Sequence, residues 1–336
     1  MAGRMRLVPL DDIGAEEWDR AVAGRETAHL FHGSDWLSFL ENIQPCRVLR
    51  CRIEGEGKTI GYFAGCLTQK GPFRILGSPL PGTTTEYLGP AVDVGFDYAG
   101  FLEALEHFCR ERRVHHLELC NSGLPHQAMA DRGFRWDEDV TYIVDLAQPE
   151  EALWASLKKK SCRYSINRAR REGLAAEPDR SPGFVEAYYK QLGEVFGRQG
   201  LAPTYAKDRV EQLFQNLGPD KLLPLAVKKG GETLATGIFV HDGRRMFFWG
   251  GASWSKYHHL CPNELLHWQA MLKAKAMGIR YYEMGGGGSF KPKFGGTETK
   301  VYRYYKSYST AARWARAGYR LAVRARQWRL GAGREQ

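Results

Sequence analysis

Residues 48–68 read VLRCRIEGEGKTIGYFAGCLT, and residues 223–240 read LPLAVKKGGETLATGIFV. Each has two runs rich in β-branched, aliphatic or aromatic residues around a short charged turn that carries glycine. That is the pattern of a β-hairpin. The first copy predicts strands over 48–53 and 59–68, with Glu54-Gly55-Glu56-Gly57 as the turn. The second predicts strands over 223–227 and 234–240, with Lys229-Gly230-Gly231-Glu232 between them.

Outward from each hairpin the pattern continues in the same order. Residues 101–113 place Phe101, Leu102, Leu105 and Phe108 at helical spacing and run into the apolar stretch 114–119. Residues 264–277 do the same with Leu265, Leu266, Trp268, Met271 and Leu272. They end at Gly278, a natural helix stop, and run into 279–284. One more strand is expected to close each half, over 141–146 and over 299–308. Hairpin, helix, strand, strand, written twice, resembles the core of the GNAT acyltransferase fold. The expected fold class is α/β (α+β): two tandem GNAT-like domains, each a mixed, mostly antiparallel sheet flanked by helices. They are expected over 1–147 (acceptor side) and 148–309 (donor side), followed by an Arg-rich C-terminal helix over 310–336. A helix is also expected across 149–173, with Pro149-Glu150-Glu151 suiting its start.

The chain has 336 residues, 43% hydrophobic, enough for two packed cores. A net charge of +10 favours polyanionic partners: nucleic acid, phosphorylated metabolites or an anionic membrane. No run of eighteen apolar residues and no secretory signal are read. The seven cysteines are scattered, without a CxxC pair, so neither a disulfide framework nor a metal site is expected, and a cytoplasmic location fits best.

Three segments could carry chemistry. Residues 285–296 read GGGGSFKPKFGG after an expected strand. Four glycines let the backbone approach a ligand closely, and a lysine beside such a loop can stabilise an oxyanion or a phosphate. The GxxxxGK[ST] order of a Walker loop is missing. Residues 157–171 carry seven cations, with Tyr164 among them, so a basic helical face suits phosphate-backbone contact. From 310 to 336 there are seven Arg and one Glu, or +6, with Arg313, Arg316, Arg320 and Arg324 on one face. RNA and an anionic membrane are both open as its partner. The solvated-surface alternative stands beside each of these readings.

At these residues the sequence resembles the Fem family of aminoacyl-tRNA-dependent transferases. The resemblance rests on Asn167-Arg168-Ala169-Arg170-Arg171-Glu172-Gly173-Leu174, on Phe196-Gly197-Arg198-Gln199-Gly200-Leu201, and on Cys261 to Trp268 leading to Phe290-Lys291-Pro292-Lys293-Phe294-Gly295. It implies transfer of an amino acid from tRNA to an amine of a peptidoglycan precursor or a related small peptide. It implies Lys291 and Phe290 at the reacting ester, with Lys291 stabilising the oxyanion. The acceptor-binding set expected with it is Arg198, Tyr205, Trp36, Glu86 and Tyr87. The tRNA-binding set is Lys158, Lys159, Lys160, Arg163, Lys293, Arg313, Arg316 and Arg320. No metal and no cofactor are implied, aminoacyl-tRNA being the co-substrate, and no DNA partner is expected. Gln199 stands where the family carries an acid, and no long helical arm is read between Gly173 and Pro224. The rival is an acyl-CoA-dependent N-acyltransferase of the same fold, acting in cell-envelope polysaccharide or natural-product biosynthesis. Its pyrophosphate loop needs glycines where this chain has His258 to Asn263, with Pro262 removing an amide donor. A non-enzymatic RNA- or membrane-binding module is the third reading.

Overall fold

A computed structural model describes residues 5–318. In chain order the strands are β1 (Arg6–Pro9), β2 (Arg47–Gly55), β3 (Lys58–Lys70), β4 (Phe73–Ser78), β5 (Gly89–Ala91), β6 (His116–Leu119), β7 (Arg135–Asp145), β8 (Ala175–Pro178), β9 (Leu222–Lys229), β10 (Glu232–His241), β11 (Arg245–Ser253), β12 (Tyr281–Glu283) and β13 (Thr297–Ser307). The α-helices are α1 (Ala15–Ala23), α2 (Ser34–Ile43), α3 (Tyr98–Glu111), α4 (His126–Asp131), α5 (Glu150–Ser156), α6 (Tyr164–Arg171), α7 (Gly183–Gly197), α8 (Lys207–Asn216) and α9 (Pro262–Ala276). They form two compact units, residues up to 138 with those from 301 onward, and residues 139–300.

Both expected hairpins form, β2–β3 and β9–β10, on two-residue turns. Glu56 and Gly57 have φ of +52° and +77°, and Gly230 and Gly231 have +55° and +84°. Two consecutive left-handed residues match the twist of the flanking strands, so the glycines here are required. A third strand extends each hairpin, β4 beside β3 and β11 beside β10. Neither is marked by the hairpin pattern.

The first unit orders its strands β1-β2-β3-β4-β6-β13, antiparallel throughout except β4 beside β6. The second orders them β8-β9-β10-β11-β12-β7, antiparallel except β11 beside β12. The units are thus copies of one topology, a mixed α/β GNAT-like fold. The closing strands do not stay with their own halves. β7, expected to close the first, pairs with β12 (Ile143↔Glu283). β13, expected to close the second, pairs with β6 (Tyr304↔Leu119). The compact units therefore divide at 138/139 and 300/301, whereas the sequence pattern puts the division at 147/148.

Each unit has its own core. In the first, Phe63, Leu76, Phe101, Leu105, Leu117 and Tyr304 bury α3 against the sheet. In the second, Leu225, Phe239, Met246, Leu266, Met271 and Tyr282 do the same for α9. That helix starts with Pro262, whose fixed φ suits a first turn. It ends at Gly278 (φ +77°), as expected, with Ile279 N–H returning to the Ala274 carbonyl.

The single helix expected over 149–173 is broken. α5 stops at Ser156, and Leu157 and Lys158 are not helical. Residues Lys159–Arg163 then wind as a π-helix before α6. The cause is tertiary: Lys158 N–H donates to the Lys293 carbonyl at 2.9 Å, and Leu157 is buried. Residues 310–318 are helical, and the rest of the expected tail helix, with Arg320, lies outside the described residues. No helix among the described residues is long and apolar enough to cross a membrane.

Candidate active site

In the second unit the three-residue strand β12 ends at Glu283, while β11 beside it continues to Ser253. The chain leaves β12 into the glycine run. Met284 N–H donates to the Tyr142 carbonyl, and Gly285 N–H to Thr141 Oγ1 at 3.1 Å, so β7 holds the loop's root. Gly285, Gly286 and Gly288 have φ of +59°, +51° and +111°, a conformation that disfavours side chains. The loop then enters a short 3₁₀ turn, Lys291–Phe294, with Pro292 at its start.

Two carbonyls of the loop receive the Lys291 ammonium, Gly285 O and Gly286 O, the latter at 3.2 Å. The lysine is thus anchored by backbone of the same loop. A Cβ on Gly286 would sit 3.2 Å from its Nζ. At the turn's end Gly295 (φ +76°) lies against α5, where a Cβ would meet the Ser156 Cβ at 2.8 Å. Gly296 lies against the Ile143 backbone.

Below the turn is an aromatic floor. The His267 ring lies 5.4 Å from Phe290, 5.2 Å from Phe294 and 4.6 Å from Phe248, and its Nδ1 is 2.6 Å from the Tyr282 hydroxyl. Burial pushes His267 down to about 3, and the Lys291 and Lys293 charges push the same way, so the ring is neutral. Lys293 points inward: it holds Glu264 Oε1 at 2.6 Å and lies 3.9 Å over the Phe290 ring. Both partners are nearly buried, at 13% and 15% side-chain exposure. Lys293 is therefore corrected from an expected tRNA contact to an internal ion pair that fixes Phe290.

The Glu264 carboxylate occupies the first turn of α9, the helix end that carries partial positive charge. Beside it Asn263 Nδ2 donates to Ser253 Oγ at 3.0 Å, and that oxygen lies 3.0 Å from His258 Nε2. Cys261, just before the helix, has φ +59° without being glycine. In the first unit the matching helix, α3, is capped by Asp97, which accepts from Gly100 N–H at 3.0 Å. Both helix starts that would meet a pyrophosphate in this fold thus carry a carboxylate.

The remaining expected residues are spread over both units. Lys158, Lys159 and Lys160 are exposed and Arg163 is half-buried, all beside the Lys293 turn through the Lys158–Lys293 backbone bond. Arg198 is exposed at the C-terminal end of α7. Tyr205, in the loop before α8, meets the Tyr188 hydroxyl at 2.6 Å and stacks 5.3 Å from Trp249, and burial raises its hydroxyl. In the first unit Trp36 is fully buried between Phe31 and Phe39 and donates to Thr85 Oγ1 at 3.1 Å. It is a core residue, not the expected acceptor contact. Tyr87 is buried and Glu86 half-buried. Arg313 is exposed. Arg316, expected to contact tRNA, is instead packed 3.3 Å over the Tyr305 ring and paired with Glu118 at 3.3 Å and Asp137 at 3.1 Å. It fastens the terminal helix to the first unit. Thr141, Glu264 and His267 were not singled out from sequence; the first two act through partners 144 and 29 positions away, which no local spacing reveals. Among the described residues no group of three His, Cys, Asp or Glu could hold a metal ion.

Residues 158–307 match the acetyltransferase (GNAT) domain family. No curated protein sequence matches the chain. Among solved structures the chain is similar to FemX, with a TM-score of 0.67 at 13% identity over 86% of this chain and 96% of that one. It is similar to a tandem GNAT protein from the clavulanic acid biosynthesis pathway, with a TM-score of 0.56 at 12% identity over 91% and 99% of the two chains. It is also similar to L-PGS from Bacillus licheniformis, with a TM-score of 0.55 at 14% identity over 88% and 93%. At these identities the likeness is one of fold: a duplicated GNAT-like architecture.

Proposed function

We propose that this chain transfers an aminoacyl group from a charged tRNA to an amine on a peptide acceptor, such as a peptidoglycan precursor, and forms an amide bond. The observation that carries this reading is the Glu264–Lys293 ion pair in the first turn of α9. A pyrophosphate of a thioester cofactor would have to displace Glu264 from both Lys293 and the helix end, where an anion is already held. A donor held by its nucleic-acid part does not need that helix end. The exposed lysines 158–160 beside the Lys293 turn suit its phosphates.

In this reading the acceptor amine attacks the ester carbonyl. The C–N bond forms, the carbonyl electrons move to oxygen, and the Lys291 ammonium stabilises that oxyanion. The C–O bond to the ribose then breaks, and the departing ribose oxygen takes the amine's proton, directly or through water. Phe290, pinned between Lys293 and His267, walls the site against water.

The match of residues 158–307 to an acetyltransferase domain favours a second reading, an acyl-CoA-dependent N-acyltransferase. The discriminating assay offers radiolabelled aminoacyl-tRNA and acetyl-CoA side by side with a nucleotide-linked muropeptide. Consumption of the tRNA ester alone is expected. Consumption of acetyl-CoA alone would refute the proposal.

A further inference from the structure

Three successive positions of β7 meet the glycine loop and the start of β13. Val140 lies under Gly287, Thr141 holds Gly285 N–H, and Tyr142 reaches forward to β13, where its hydroxyl donates to Glu298 Oε2 at 2.5 Å. Side chains two apart on a strand share a face. Val140 and Tyr142 therefore lie on one face of β7, and both pack in the cluster that holds Phe290 and Phe294. Through Val140 and Tyr142 that face touches the Gly287 end of the loop, the cluster of Phe290 and the Glu298 carboxylate. Glu298 itself is exposed, while the Tyr142 ring behind it is buried. A buried phenol thus holds a solvent-facing carboxylate two positions along β7 from the residue under Gly287, and the hydrogen bond to Glu298 raises the Tyr142 hydroxyl in turn.

We propose that Glu298, oriented by Tyr142, binds the α-ammonium group of the aminoacyl donor and so selects an aminoacyl ester over a plain acyl group. This rests on the reading that the donor is aminoacyl-tRNA. The chemistry is complementary. An aminoacyl ester carries a cation one carbon from the reacting carbonyl, and the site already places a cation, Lys291, for the carbonyl oxygen. A carboxylate there gives the ammonium a partner and offsets its repulsion by Lys291. An acetyl group has no such cation and gains nothing from Glu298.

The test uses bulk tRNA charged with a radiolabelled amino acid mixture, and the same preparation after N-acetylation, with the full-length protein and its Glu298→Gln variant. The wild type is expected to use the free-amine donor about three- to fivefold better in kcat/KM than the N-acetylated one, in line with an exposed charge pair. Glu298→Gln is expected to lose that preference by falling on the free-amine donor alone. Tyr142→Phe, which removes only the hydroxyl, should shift the ratio the same way by less. A Glu298→Gln variant with the wild-type ratio would overturn the inference. So would equal losses on both donors, the mark of a proton acceptor or a merely structural residue. Turnover of acetyl-CoA and of neither tRNA would instead sink the donor reading, and this inference with it.

Discussion

His267 shows how the site's residues constrain one another. Its ring is enclosed by Phe248, Phe290 and Phe294 and held to Tyr282, so a charge on it would be stranded. Burial and the two lysines put its folded pKa at about 3, against an ordinary 6.5. The unfolded chain therefore binds the extra proton between those values and the folded one does not. The stability this residue contributes is complete above pH 6.5 and is lost as pH falls toward 3. Between pH 7 and pH 4.5 the wild type should lose about 2 kcal/mol more than His267→Gln, read as urea midpoints at each pH. Equal losses would mean the ring is not buried as a neutral group. At this scale the sequence revealed residue types better than partners. Phe290 and Lys291 stood out because glycine flanks them. Lys293 and Arg316 read as free cations because their carboxylates are 29 and 198 positions away in the chain. Trp36 read as a site aromatic, although a buried ring and a lining ring look alike in a sequence.

The element that matters most is the turn after β12, and it works because a neighbouring element yields to it. The helix expected over 149–173 gives up Leu157 and Lys158 so that a backbone N–H can reach the Lys293 carbonyl. Gly295 then fits against Ser156 with no room for a Cβ. Gly295→Ala combines a left-handed φ with that clash, so it should cost about 2 kcal/mol and displace the Lys291 turn. Thermal unfolding and transfer rate measured together would check this, and an unchanged rate would show that the turn does not depend on α5. Hairpins, α3 and α9 were legible because local periodicity and glycine turns specify them. The break after α5 was not, because its cause is a contact between Lys158 and Lys293, far apart in the chain.

For the whole molecule, the repeated topology was readable and the exchange of closing strands was not. Strand identity is local, whereas pairing is decided by which edge is open, and β6 takes β13 while β12 takes β7. A chain ending at residue 300 should leave β6 an open edge and remove the buried Tyr304. It should melt roughly 10 °C lower or aggregate. Melting at the full-length temperature would show that the first unit closes without the returning strand. In the proposed transfer the loop-anchored ammonium of Lys291 polarises the ester carbonyl of a charged tRNA. The most direct test of this is the single-turnover transfer rate of Lys291→Ala with charged tRNA and saturating acceptor. A fall of roughly 10²- to 10³-fold, with an unchanged melting temperature, is predicted. A rate within a fewfold of the wild type would contradict it.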